Sequence, residues 1–141
     1  MKKKLIAFLA AVLLLPVSAM AFDRLIPFDE LPAEAQQFVK THFADAKVLQ
    51  VKADIDEYEV RLTNGFYLEF GLSGNWKEIK GRQAPVPDAV IPARILSYVK
   101  EYYPDMPIMQ IERNRWGYEL EVGGGLELEF DRNCNFVRVD D

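Results

Sequence analysis

One histidine, His42, and one cysteine, Cys134, set the limits on the chemistry open to this 141-residue chain. A nucleophile–base–acid set needs a histidine beside its nucleophile. His42 instead falls at the polar–apolar boundary of a helical pattern, where a half-buried aromatic is a better reading than a base or ligand. Cys134 has no neighbouring histidine to activate it, and soft-metal clusters need more His and Cys than the chain owns. Gly123-Gly124-Gly125 connects two strand patterns, so it lacks the strand-to-helix setting of a phosphate loop. The expectation is a protein without catalytic residues and without a cofactor.

Carboxylates are the residues that could still do something. Glu119, Glu121, Glu127 and Glu129 alternate with Leu120, Leu128 and other apolar residues across a hairpin pattern. Alternation of period two sends all four carboxylates to one face. Like charges directly opposed in a sheet cost up to ~1 kcal/mol per pair, with Arg138, Arg113 or Arg115 available to offset it. The same face of the preceding hairpin would carry Glu59, Arg61, Tyr67 and Glu69. If Ile79, Val137 and Val139 point inward on the last strand of each hairpin set, Trp76 and Phe136 turn outward beside Tyr67. Both also follow a turn directly, from which they could fold back and cap the core, and Trp116 is open to the same two readings. Tyr67, Trp76, Glu119, Glu121, Glu127, Glu129 and Phe136 are the candidate partner-binding residues. Two functions fit them: recognition of a protein or peptide with a basic surface, or sensing and buffering of a cation such as calcium. A flat sheet seldom gathers the six or more oxygens that calcium takes, so the first is preferred.

These residues sit in a repeat. Shifted by sixty positions the chain falls on itself without a gap, about a quarter of the positions being identical. Pro32, Val39, Lys40, Tyr58, Glu59, Gly65, Leu68, Glu69 and Phe70 meet Pro92, Val99, Lys100, Tyr118, Glu119, Gly125, Leu128, Glu129 and Phe130. Each unit opens on one apolar helical stripe, Leu31, Ala35, Phe38 and Val39 in the first and Ile91, Ile95, Tyr98 and Val99 in the second. Pro32 and Pro92 suit a first turn, and Pro104 closes the second helix. The period then becomes two: Tyr58, Val60 and Leu62, an Asn64-Gly65 turn, then Phe66, Leu68 and Phe70. Shorter strands flank each hairpin, around 48–52 and 76–80, and again around 108–112 and 136–140. The fold class is α+β, two tandem units of one helix plus a four-stranded antiparallel meander, with the helices on one face of the sheet. The stiff linker through Pro85 and Pro87 holds the units close enough for one continuous sheet. Residues 22–81 form the first unit and 82–141 the second.

The first 21 residues read as a secretory signal: Lys2, Lys3 and Lys4, an apolar run from Leu5 to Leu15, and Ala19-Met20-Ala21 before the cut. That run is too short to cross a ~30 Å hydrocarbon core. Removing it leaves fourteen basic side chains against 22 acidic ones, a net charge of about −8. Such a chain is poorly suited to nucleic acid or an anionic membrane and well suited to a cationic partner. A single cysteine permits no internal disulfide; Cys134 falls in a turn where the first unit has Gly74.

The run Leu31-Pro32, Phe38-Val39-Lys40-Thr41-His42-Phe43, Tyr58-Glu59-Val60, Asn64-Gly65, Leu68-Glu69-Phe70 and Gly74-Asn75-Trp76 resembles the PepSY-like, β-lactamase-inhibitor-like family of exported bacterial proteins. Tyr118-Glu119-Leu120, Gly125 to Asp131 and Asn135-Phe136 repeat the pattern. The resemblance implies tandem units like those of the β-lactamase inhibitory protein, a periplasmic setting, no catalytic residues to carry over, and a binding role that includes inhibition of an enzyme. The chain departs from the family pattern at Cys134 and at Phe70-Gly71.

Overall fold

The computed structural model describes residues 23–140; the expected signal segment lies outside them. The chain builds one nine-stranded antiparallel sheet whose spatial order is its sequence order. After a two-residue strand β1 (Arg24–Leu25), helix α1 (Ala33–His42) precedes β2 (Val48–Ala53), β3 (Glu57–Leu62), β4 (Tyr67–Gly71) and β5 (Trp76–Lys80). Helix α2 (Ala93–Tyr102) then precedes β6 (Ile108–Asn114), β7 (Gly117–Val122), β8 (Leu126–Asp131) and β9 (Phe136–Asp140). The first residues of α1 and α2 differ by sixty positions, as do those of β5 and β9. A single 3-10 turn leads into each helix, at Phe28–Glu30 and Asp88–Val90.

The architecture is α+β, and the sheet is continuous rather than two separate four-stranded pieces. Glu78 pairs with Glu112, Ile79 with Ile111 and Lys80 with Gln110, which joins β5 to β6. The ninth strand, β1, pairs Arg24 with Ala53 and Leu25 with Lys52. No alternating apolar run announces it, since two residues are too few to show a period.

One inward row crosses the sheet: Val51, Val60, Leu68, Ile79, Ile111, Leu120 and Leu128, each at most 3 % exposed. Ala35, Val39 and Phe43 of the α1 region and Ile95 and Val99 of α2 belong to the same core cluster. Phe38 meets Phe70 edge-on at 5.6 Å, and Tyr98 meets Phe130 at 5.4 Å, so both helices cover the same side. Pro32 and Pro92 immediately precede the helices, where no amide hydrogen is needed.

Register shifts fall between Glu69 and Phe70 on β4 and again between Glu129 and Phe130 on β8. Each is a bulge, with one extra residue on the outer strand, Lys77 on β5 and Val137 on β9, that re-aims the side chains of its own strand. Here they place Trp76 opposite Phe70 and Phe136 opposite Phe130. The tight turns use positive φ at Gly65 (86°) and Gly74 (94°), and Cys134 at 65° is the one non-glycine among the described residues to do so.

Candidate functional site

The other side of the sheet is built from the residues between the core positions, and its register was not legible in the sequence. Lys52 lies opposite Glu59, Glu59 opposite Glu69, and Glu69 opposite Glu78. Glu78 then faces Glu112 across the joint between the units, Glu112 faces Glu119, Glu119 faces Glu129, and Glu129 faces Arg138. Six glutamates therefore stand in one unbroken transverse row, closed by a lysine at one end and an arginine at the other. With strands about 4.8 Å apart the row is ~24 Å long.

Most of this charge is uncompensated. Arg138 holds Glu129 through Nε at 2.8 Å and Nη2 at 3.2 Å. Tyr67 donates its hydroxyl proton to Glu69 at 2.5 Å, and Gln110 donates to Glu78 at 2.6 Å. Partial burial, then the neighbouring carboxylates Glu69 and Glu112, push the Glu78 carboxyl up to about 7. Glu69 is raised by partial burial and then by Glu57 and Glu59, against the Tyr67 hydrogen bond, which lowers it, and Glu119 by partial burial and then by Glu112 and Glu129. The Tyr67 phenol, half-buried and bonded to a carboxylate, is held far above its ordinary value.

A second row runs alongside: Arg61, Tyr67, Lys80, Gln110, Glu121, Glu127 and Asp140. It is mixed in the first half, where Arg61 lies over the Tyr67 ring at 5.0 Å, and acidic in the second. Around Gln110, Glu112, Glu119, Glu121 and Glu127 the surface dips into a depression of about 100 Å³. Near the turn between β2 and β3, oxygens of Glu57, Glu59 and Glu69 come within 4.8 Å of one another, as do those of Asp54, Asp56 and Glu57. Lys77 pairs with Glu57 at 3.1 Å.

Of the candidate residues, Tyr67, Glu119, Glu121, Glu127 and Glu129 share this open face. Trp76 and Phe136 do not: the capping alternative holds for both. Phe136 stacks on Tyr98 of α2 at 4.7 Å and 14°. Trp76 lies under the Arg113 guanidinium at 4.4 Å, and Arg113 donates to the Trp76 carbonyl at 2.7 Å. The bulges produce this reversal, which strict alternation from Ile79 could not foresee. Arg113 is thereby on the helix side and cannot offset the glutamates, while Arg115 lies over the exposed Trp116 ring at 4.2 Å. Val137 and Val139, expected to be buried, are 54 % and 37 % exposed. Trp76, Arg113, Phe38 and His42 line a cleft of about 390 Å³ beside α1.

Glu78 and Glu112, central to the row, escaped the sequence reading. Their signal was present in the inward Ile79 and Ile111 beside them, but only the β5–β6 joint turns two separate strands into neighbours.

The described residues thus build a helix-backed antiparallel sheet with one open, charged face. The chain belongs to the family described as "Putative beta-lactamase-inhibitor-like, PepSY-like", whose model matches residues 22–71 and 56–138. That description is of inhibitor-like proteins, not of a catalytic family. Among solved structures it is similar to a "putative calcium-regulated periplasmic protein" from Bacteroides thetaiotaomicron, with 41% identity over 84% of this chain and 97% of that one, at a TM-score of 0.81. It is also similar to a "putative periplasmic protein" of the DUF2874 family from Bacteroides vulgatus, with 40% identity over 84% and 97% and a TM-score of 0.81. A third, a "putative periplasmic protein of unknown function" from the same species, has 36% identity over 85% and 100%, again at 0.81. No curated protein matches the chain.

Proposed function

We propose that this chain is a periplasmic, non-catalytic binding module that takes a basic protein or peptide surface on its open sheet face. The observation that carries the reading is the row Glu59, Glu69, Glu78, Glu112, Glu119 and Glu129. Each directly opposed like pair is destabilising, and the chain maintains five of them in succession. A row of lysines or arginines from a partner offsets that repulsion and gains from a face already partly desolvated. It also lowers the raised carboxyls, so binding releases protons and tightens from pH 6 to pH 8. The periplasmic placement is supported by the signal pattern of residues 1–21 and by the descriptions of the similar structures. The family's inhibitor-like description directs the partner search to enzymes with a basic rim.

Glu112→Lys and Glu119→Lys test this together, because neither glutamate is in an ion pair and both changes relieve repulsion. A lysine-rich decapeptide should bind the double variant at least tenfold more weakly, with a shallower salt dependence, while the melting temperature holds or rises. Unchanged capture removes the open face from consideration.

A second reading has its own observation. Glu57, Glu59 and Glu69 each bring a carboxylate oxygen within 4.8 Å of the others, three of the six or more oxygens that calcium takes, with water free to supply the rest, and one similar protein is described as calcium-regulated. A cation present at a hundred times its dissociation constant adds ~2.7 kcal/mol. Calcium at millimolar concentration should then raise the melting temperature of the wild type and not of Glu59→Gln/Glu69→Gln. An equal response of the two proteins rejects this site.

A further inference from the structure

We propose that the outer edge of β9 pairs antiparallel with β9 of a second copy of this chain, with Val139 opposite Val139 and Arg138 opposite Asp140 of the other copy. This goes beyond the open-face reading and does not depend on it.

The molecule contains its own precedent. Strand β5 occupies in the first half the place that β9 occupies in the second, and its outer edge is taken by β6 in antiparallel register. Under that cover Ile79 is fully buried, whereas its counterpart Val139 is 37 % exposed. The opposite end of the sheet is treated differently. There β1 pairs with β2, and Ile26 continues the contact by donating its amide to the Val51 carbonyl at 3.0 Å. One sheet edge is therefore blunted by the chain itself. Among the described residues the other has nothing on it, an arrangement that invites a further strand.

Chemistry selects the occupant. Residues directly opposed in an antiparallel pair point to the same face, and β9 presents Val139 on the helix side, opposite Leu128, with Arg138 and Asp140 on the open side, opposite Glu129 and Glu127. A two-fold axis through Val139 places the two valines together on the helix side. It also sets each Arg138 against an Asp140 of the other copy on the open side. The register one step away, with Arg138 opposite Arg138, opposes like charges. Arg138 spends Nε and Nη2 on Glu129, which leaves Nη1 to donate across the joint. Asp140, opposite Glu127 and already near Arg138 of its own strand, gains a second cation. An axis normal to the sheet keeps both open faces on the same side, so the dimer presents two glutamate rows to one partner.

Sedimentation equilibrium of the purified protein, processed as on export and kept in reductant so that Cys134 forms no bridge, reads the association. The wild type should approach dimer between about 10 μM and 1 mM, as a small strand-to-strand interface implies. Asp140→Lys removes both ion pairs yet sets a lysine against Glu127 within its own chain, so it folds at least as well; it should dimerise at least tenfold more weakly. Arg138→Glu, which also gives up the Glu129 ion pair and some melting temperature with it, should likewise dimerise at least tenfold more weakly. Mixing the two variants restores both pairs in a heterodimer only, and the mixture should regain wild-type association. A wild type monomeric throughout, single variants that associate as it does, or a mixture that stays monomeric overturns the proposal.

Discussion

Strands β5 and β9 hold matching places sixty residues apart and live in different surroundings. Ile79 on β5 has no exposed surface, while Val139 on β9 keeps more than a third of its own. Trp76 at the start of β5 reaches out of its own unit, under Arg113 of β6 and 6.5 Å from Tyr118 of β7. Phe136 has no strand beyond it among the described residues and stacks back on Tyr98 of its own helix. On the open face, Glu78 of β5 adds a charge to Glu69, whereas Arg138 of β9 neutralises Glu129. A repeat thus fixes what each unit looks like from within. Its neighbour, or the lack of one among the described residues, decides what its last strand does.

The sharpest way to break that comparison is to cut the matching side chains. Ile79→Ala should cost about 2–4 kcal/mol of stability, because the cavity lies between two strands and under the helix layer. Val139→Ala, at the exposed edge and measured at low protein concentration, should cost under ~1 kcal/mol. Urea denaturation of both variants decides it; equal losses would mean that β9 is as enclosed as β5.

The next turn in each unit offers a smaller contrast. At Gly74, with φ of 94°, an added Cβ would meet the Cβ atoms of Pro32 and Glu34 at 3.0 Å and the Ala35 amide nitrogen at 3.1 Å. Gly74→Ala should therefore cost about 1–2 kcal/mol. Cys134 adopts the same left-handed region at 65° with a side chain in place. Cys134→Gly relieves that strain but gives up packing against the core and adds chain entropy, so the net gain should be only ~0.5 kcal/mol. Thermal melts of the pair measure both, and a destabilised Cys134→Gly would show that the thiol's packing outweighs its backbone strain.

What could be read from the sequence follows the same division between inside and outside. The helical stripes, the hairpins around Gly65 and the inward rows were legible because burial imposes a period on the residues that suffer it. The aim of Trp76 and Phe136 was not, since a bulge inserts one residue without changing the composition of either strand. The four glutamates of β7 and β8 were visible as a cluster because one short turn joins their strands. Glu78 and Glu112 were not seen as partners, because 33 residues and a helix separate them and pairing across that distance leaves no local signature. The exposure of Val137 follows from the bulge, in which it is the extra residue, and that of Val139 escaped because alternation says which way a residue points, not whether anything lies beyond it.

The last contrast sets Glu78 against Arg138, its counterpart. Raised to about 7 from an ordinary value of 4.5, the Glu78 carboxyl binds its proton more tightly in the folded chain than in the unfolded one. Stability must then fall as the pH climbs from about 4.5 to about 7, and level off above. Glu69 and Glu119, raised likewise, contribute with the same sign. Glu78→Gln keeps an oxygen for the Gln110 amide while removing the charge. At pH 4.5 it should match the wild type; at pH 8 it should exceed it by roughly 1 kcal/mol, solvent screening of a half-exposed group limiting the gain. Glu78→Arg copies the second unit into the first, placing a guanidinium between Glu69 and Glu112 as Arg138 stands beside Glu129. It should flatten the pH dependence further and weaken capture of a lysine-rich peptide, separating the stability cost of the row from its use. A Glu78→Gln variant whose stability tracks the wild type at both pH values would mean that neighbouring carboxylates do not burden Glu78, and the row would lose its claim to be costly.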